Sequence, residues 1–398
     1  MENFEFYNPV KVIFGAGEAS RTGVEAAKLG HSALVVSYKD AGPLAGLLSQ
    51  IEGQLKAAKM SVATSYQMTA NPRMDEVCAG VAAAKAAKAD VIIGVGGGSA
   101  MDVAKLVAAG VPYQGDVRDM LVLRHDQSAA RLPTEALPML MVPTLPATAS
   151  EMNCVAVATN EKTSEKSYTW GACLYPTVSI IDPALTCSLP AYQTACGAAD
   201  AISHAMESYL NAPADTPLQD RMLEGVILTT IDNVRIVLKN PADIAARGNL
   251  QWAATLAWNG WCNAGINAWA PMHQLGHPMS CRHGVAHGAS LALVMPHWMR
   301  YILPQRTERL AQFAARVFGV AGKGAAAAAA AAGIDAFEAL LGEIGVPTRL
   351  GQVKISPADV EVLVEDVRRI SLNADGRLVG RPAVDIAGVR EIYRMALK

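Results

Sequence analysis

Five of the chain's eight histidines, His273, His277, His283, His287 and His297, fall between residues 273 and 297. Imidazole is both a common ligand for divalent metals and a group that titrates near neutral pH, so a run this dense points to chemistry at a metal. Upstream, Asp200 and His204 add a carboxylate and an imidazole one helical turn apart. Residues at i and i+4 share a helix face, so Asp200/His204, His273/His277 and His283/His287 can each aim two donors at one point. Oxygen and nitrogen donors without thiolates suit Fe²⁺, Zn²⁺, Co²⁺ or Ni²⁺. Any one of these histidines taken alone reads as an ordinary packed residue; it is their clustering that carries the metal reading.

The first half of the chain holds the elements that would position a second ligand. Gly94-Val95-Gly96-Gly97-Gly98-Ser99-Ala100-Met101-Asp102-Val103-Ala104-Lys105 closes an apolar strand and opens a helix. Successive glycines admit a phosphate close to the backbone, and the helix N-terminus attracts it. Ser99 is placed to cap that helix, with Asp102 three residues on. A hydroxyl-rich loop, Pro143 to Asn153, follows another strand and offers Thr144 and Thr148 to a phosphate or a nicotinamide amide. The earlier Gly15-Ala16-Gly17 lacks a third glycine and reads as a turn lining the site.

Apolar runs at Val10–Phe14, Ala33–Ser37, Val91–Val95, Met139–Val142 and Val178–Ile181 alternate with helical stretches, the pattern of a parallel, doubly wound sheet. From about Ser188 helical periodicity takes over, over 192–211, 219–239, 248–270, 305–318, 334–344 and 384–397. Two domains are expected, an α/β dinucleotide-binding domain over 1–187 and an all-α metal-binding and catalytic domain over 188–398. Eight alanines at 325–332 favour helix and carry no chemistry. Tryptophans 252, 258, 261 and 269 precede the histidine cluster, placed either to line an apolar pocket or to build the core.

A hydrophobic share of 51% against 18% charged residues describes a globular chain with a large core. The formal net charge is −2 with no basic run, which argues against nucleic acid or a membrane surface as partner. Neither a signal sequence nor a long apolar run is seen, so a cytoplasmic protein is expected. Seven cysteines, scattered and without a C-x-x-C pair, indicate neither disulfides nor a thiolate metal site.

Gly-Gly-Gly-Ser-x-x-Asp-x-x-Lys at 96–105, Thr-Ala-Ser-Glu at 148–151, Asp200-Ala-Ile-Ser-His204-Ala-Met-Glu207-Ser-Tyr209, and His273-x3-His277 with His287-Gly288 together resemble the iron-containing (group III) alcohol dehydrogenases. The match runs almost end to end. Asn71-Pro72 and Asp182-Pro183 are similar to the branch of butanol dehydrogenases and broad aldehyde reductases. The resemblance implies the dehydroquinate-synthase-like architecture and a metal-dependent, NAD(P)H-linked alcohol dehydrogenase or aldehyde reductase acting on small alcohols or aldehydes. It also implies a homodimer or higher homo-oligomer, and Fe²⁺ over Zn²⁺. Carried over residue by residue, the metal ligands are Asp200, His204, His273 and His287. Tyr38, Gly96, Gly97, Gly98, Ser99, Asp102, Thr144 and Thr148 then bind the cofactor.

His277 is left uncoordinated beside the metal and becomes the expected catalytic proton relay. Glu207, near one turn beyond His204, is placed to orient a ligand. Two departures stand out. Ala149 occupies a position where the family often has glycine. Tyr38 stands where NAD-preferring relatives often carry an aspartate that would bond the ribose and repel a 2′-phosphate, so NADP is expected over NAD. The rival enzyme reading, a dehydroquinate-synthase-like lyase, needs basic residues beside the metal, and near the motifs only Arg282 qualifies. A non-catalytic metal- and nucleotide-binding protein is the reading from outside enzymes.

Overall fold

The computed structural model describes residues 1–69, 71–122, 131–163, 165–267, 269–320 and 325–398. The chain forms two compact units: Tyr7–Leu189 with Asn240–Thr255, and Met1–Phe6 with Pro190–Lys239 and Leu256–Lys398. Residues 240–255 therefore pack with the unit built from the first half of the chain, and the first six residues pack with the other.

The first unit is an α/β sandwich. Strands β1 (Lys11–Phe14), β2 (Ser32–Tyr38), β3 (Ser61–Met68), β4 (Val91–Gly96), β5 (Met139–Pro143) and β8 (Val178–Ile181) form one sheet in the order β1-β8-β5-β4-β2-β3, every neighbouring pair parallel. Alternate side chains leave opposite faces of each strand, and the core divides accordingly. Ala33, Val35, Val91, Ile93 and Val95 pack with helix α2 (Ala45–Ala57) through Leu48, Ile51 and Leu55. Leu34, Val36 and Ile92 pack with α3 (Met74–Ala86) and α4 (Gly98–Gly110) on the other face. A short α1 (Thr22–Ala26) and an antiparallel ribbon of β6 (Val155–Asn160) and β7 (Glu165–Trp170) complete the unit, with most of α7 (Ile244–Ala257).

Five sheet strands coincide with the apolar runs read from the sequence; β3 was not foreseen. Its sequence, Ser-Val-Ala-Thr-Ser-Tyr-Gln-Met, is half polar because it is an edge strand, where burial demands less of the side chains. The helices that follow β2 and β4 lie on opposite faces of the sheet, so the crevice at the carboxyl ends of these two neighbours is a topological switch point, where such sheets bind ligands.

The second unit is helical: α5 (Ala191–Asn211), α6 (Pro217–Lys239), α8 (Pro271–His283), α9 (His287–Ala292), α10 (Met295–Phe318), α11 (Ala326–Glu343), α12 (Val360–Ile370) and α13 (Ile386–Leu397), with a two-residue hairpin pair β9 (Arg377–Leu378) and β10 (Val384–Asp385). The helix expected over 248–270 stops at Ala257, and the chain beyond turns through Gly260 and Gly265 at φ of 89° and 74°, which L side chains avoid. Helix α5 is buried along nearly its whole length, so the carbonyls at its end need protein partners. Arg306 Nη2 donates to Leu210 O and Ala212 O at 2.7 and 2.8 Å, and Arg309 Nε donates to Tyr209 O at 2.8 Å. Arg309 is itself held by a two-pronged ion pair with Asp220 on α6. These guanidiniums anchor the helix that carries Asp200 and His204.

Candidate active site

On α5, residues 200, 204 and 207 share one face, and all three side chains are buried. Ligand atoms of Asp200, His204 and His273 lie within 4.8 Å of one another. His273 arrives on the first turn of α8, which Pro271 starts with a preset φ. The residue before it, Ala270, has no side-chain cap to offer. Glu207 supplies one from α5: its Oε1 accepts from Met272 N at 2.5 Å and His273 N at 3.0 Å, and its Oε2 lies 2.5 Å from His273 Nδ1.

His287 opens α9, and its Nε2 stands 3.6 Å from Asp200 Oδ1, the same distance as His273 Nε2. Gly288 makes this approach sterically feasible. A Cβ there would sit 1.9 Å from Cys196 O on α5, so no larger residue lets α9 lie so close. The rings are layered: Trp258 stacks on His204 at 5.3 Å between centroids, and His204 on His273 at 4.6 Å. His277, on α8, has its ring 6.2 Å from His273 and 5.6 Å from His287.

The electrostatics favour positive charge beside Asp200. Burial alone would raise the Asp200 carboxyl, yet His204, His287 and His273 hold it well below the usual carboxylate range. Burial alone would lower His273, yet Glu207 and Asp200 push it up to about 10. Asp200 Oδ1 and His273 Nε2 are buried with no hydrogen-bond partner among the described residues, and such atoms ordinarily have one. One carboxylate and several imidazoles facing a common point fit a borderline divalent ion.

Two of the five clustered histidines stand apart. His283 is exposed at the end of α8, where Gly284 turns left-handed at φ 64°, so His283 and His287 do not share a helix face as their spacing suggested. His297 is buried on α10 with its Nε2 3.1 Å from Thr348 O, and burial pushes its pKa down to about 4. Of the four tryptophans, Trp258 adjoins the histidines. Trp252 packs edge-on with Phe14, Trp261 edge-on with Phe6, and Trp269 lies under Arg381.

In the α/β unit the glycine turn joins β4 to α4 at the switch point. Gly96 has φ 145°, and a Cβ on it would lie 2.7 Å from the Tyr38 ring, while Gly97 N donates to Tyr38 Oη at 3.2 Å. A Cβ on Gly98 would lie 2.4 Å from Thr148 Cγ2, so the hydroxyl-rich loop rests directly on the turn. Thr144 N donates to Gly96 O at 2.9 Å.

The N-cap of α4 is Gly97, not Ser99, and no side chain caps the helix; Ala100 N and Met101 N donate to Gly97 O at 3.0 and 3.2 Å, which leaves the N–H groups of Gly98 and Ser99 to an anion. Asp102 does not complete a capping box. Its carboxylate accepts from Ser150 Oγ at 2.6 Å and Val157 N at 3.1 Å, which ties α4 to the loop. Lys105, wholly buried and pushed by burial down to about 8, donates to Asn153 O, Asn153 Oδ1 and Val155 O at 2.8 to 3.0 Å. The glycines of the motif thus provide access, while its Asp and Lys grip the neighbouring segment, a division that spacing alone did not reveal. Ala149 holds the left-handed conformation at φ 54°, ψ 19°, a backbone that favours the glycine the resemblance leads one to expect there. Asp182 accepts from Gly17 N and Ala19 N at 2.9 and 3.1 Å and so fixes the Gly15–Gly17 turn. Asp40, an exposed carboxylate two residues past the end of β2, accepts from Gly42 N at 3.2 Å.

Family models for the iron-containing alcohol dehydrogenase and for its C-terminal domain match residues 9–183 and 194–377. The chain belongs to the iron-containing alcohol dehydrogenase family. It is 35% identical to a probable NADH-dependent butanol dehydrogenase of Bacillus subtilis, over 92% of this chain and 93% of that protein. It is 32% identical to the NADPH-dependent aldehyde reductase YqhD of Escherichia coli, over 92% of each. The crystal structure of NADH-dependent butanol dehydrogenase A from Thermotoga maritima superposes with a TM-score of 0.93 at 35% identity, covering 100% of this chain and 99% of that one. As a member of this family the protein is an iron-type NAD(P)-dependent alcohol dehydrogenase. Among the described residues no helix is long and apolar enough to cross a membrane.

The packing of the glycine turn is directly testable. Gly98→Ala forces its new methyl into Thr148 and is expected to lower stability by about 1–3 kcal/mol, while Thr148→Ala added to it removes the clashing methyl and recovers much of the loss. Urea unfolding of the two single variants and the double variant measures this; strictly additive effects would contradict the contact.

Proposed function

We propose that the protein interconverts small aldehydes and alcohols with NAD(P)H, using a divalent cation, Fe²⁺ over Zn²⁺, held by Asp200, His204, His273 and His287. The observation that carries this reading is the convergence of buried Asp200, His204 and His273 donor atoms within 4.8 Å. When bound, the cation acts as a Lewis acid toward the substrate oxygen.

The chain's own residues supply the rest. The open N–H groups at the start of α4, with Gly96, Gly97, Gly98 and Ser99, receive the cofactor pyrophosphate; Thr144 and Thr148 border it, and Asp102 holds the loop that carries them. Trp258, half-buried against His204, offers an apolar surface to the substrate chain. His277 moves the proton to and from the substrate oxygen.

The lyase alternative loses its one basic residue, since Arg282 is committed to a two-pronged ion pair with Asp366. Cofactor choice follows from the end of β2, where Tyr38 spends its hydroxyl on Gly97, the exposed Lys39 lies next to it, and Asp40 beyond it accepts from Gly42 N at 3.2 Å within its own turn. On that basis NADPH is used at least as well as NADH. We further propose a cytoplasmic location, on the sequence pattern of the chain, and a homodimer or larger homo-oligomer, on its resemblance to the family.

Replacing His273 or His287 by Ala is expected to strip metal and activity together with the fold retained, read by metal analysis and circular dichroism; full metal occupancy in either variant would sink the ligand assignment. Tyr38→Asp is expected to shift preference toward NADH by repelling the 2′-phosphate, read as the ratio of kcat/KM for the two cofactors; a parent enzyme strongly selective for NADH overturns the reading. His277→Ala is expected to keep metal and cofactor while lowering kcat by about 10²-fold and altering one limb of the pH profile. Loss of metal in that variant makes His277 a ligand, and normal turnover removes it as the relay.

A further inference from the structure

Glu207 has three contacts and no exposure, and their arrangement assigns it more than a cap. Its Oε1 takes two backbone N–H groups, Met272 and His273, at the start of α8, and its Oε2 faces His273 Nδ1 at 2.5 Å. An ionised carboxylate only accepts, so the ring nitrogen facing it must carry the proton. In the neutral ring, the form that can bind a metal, that leaves Nε2 of His273 as the nitrogen with a free lone pair, and Nε2 is the atom turned toward Asp200 Oδ1, 3.6 Å away.

We propose that Glu207 selects the metal-binding tautomer of His273 while anchoring the helix on which His273 sits. It is a positioning residue, and the inference rests on His273 being a ligand. One side chain on α5 then determines both where α8 begins and which ring nitrogen is available. Carboxylates that accept from the remote nitrogen of a ligating histidine fix its tautomer and orientation, and their loss commonly weakens metal binding by about 10–100-fold.

Glu207→Gln separates this role from simple capping, because glutamine has the same length but one acceptor and one donor. With its oxygen on Met272 N and His273 N, the helix cap survives and the amide NH₂ faces the ring. Nδ1 must then accept, the proton moves to Nε2, and the ligand position is blocked. The reversed amide serves the ring but sets NH₂ against two backbone donors, so the first orientation is favoured. Glu207→Met removes cap and acceptor together.

The experiment compares apo-protein thermal unfolding and the affinities for Co²⁺ and Zn²⁺, by chelator competition, of the parent, Glu207→Gln, Glu207→Met and His273→Ala. The expected result for Glu207→Gln is a melting temperature near that of the parent with metal affinity reduced about 10–100-fold. Glu207→Met is expected to lose both, and NMR of the histidine ring nitrogens, recorded above the pH at which the His273 ring loses its first proton, is expected to show the remaining proton on Nδ1 in the parent apo-protein and on Nε2 in Glu207→Gln. If Glu207→Gln binds metal like the parent while His273→Ala does not, the tautomer proposal is overturned and the ligand assignment stands. If His273→Ala binds metal like the parent, the ligand assignment itself is wrong. If Glu207→Gln unfolds as readily as Glu207→Met and its proton stays on Nδ1, Glu207 is a structural cap and the proposal fails.

Discussion

Two carboxylates, Asp200 and Glu207, are buried on one face of α5, and the organisation of the helical unit follows from what they require. Removing an ionised carboxylate from water costs several kcal/mol unless hydrogen bonds or positive charge replace the lost solvation. Glu207 is satisfied locally, by two backbone N–H groups and one imidazole. Asp200 faces imidazole rings, and its Oδ1 lacks a hydrogen-bond partner among the described residues. The first carboxylate builds the frame and the second leaves a place for positive charge at its centre, both on one helix.

Building that place requires three helices within reach of a single point, and close approach is obtained by removing side chains where backbones meet. Gly288 lets α9 rest on Cys196 of α5, and Gly276 lets α8 meet α9 at Ser290, where a Cβ would be 2.9 Å from Oγ. The guanidiniums of Arg306 and Arg309 play the complementary part at the far end of α5, satisfying carbonyls that a buried helix end cannot leave to water. In the α/β unit the same economy recurs around the glycine turn. Gly96 and Gly98 make room for Tyr38 and Thr148, and Asp102 and Lys105 lock the adjoining loop. Each unit thus presents backbone or side-chain donors on a rigid support.

Much of this was legible in the chain because its signals are local. Apolar runs ending in glycine marked β4 and its turn, i+4 spacing placed Asp200 with His204 and His273 with His277, and the density of imidazoles announced a metal. The β3 edge strand escaped because an edge strand is not obliged to be apolar, and the helix expected over 248–270 was cut short by glycines with positive φ. The ligand set illustrates the boundary. Three equally spaced donor pairs were visible, and only the resemblance to the iron-containing alcohol dehydrogenases chose among them.

The sequence by itself determined the residue types, their helical registers and the glycine positions, since these depend on spacing along one chain. Tertiary structure decided which donors converge: Gly284 turned His283 away into solvent, α10 carried His297 to Thr348, and the packing of α9 on α5 brought His287 to Asp200. It also decided that Asp102 and Lys105 grip a loop and that Glu207 caps a helix some sixty residues downstream. The physical reason is the same in each case. Spacing defines the face on which a group stands, whereas a hydrogen bond or a shared ion depends on which distant face is packed against it, and that is settled only by the whole core.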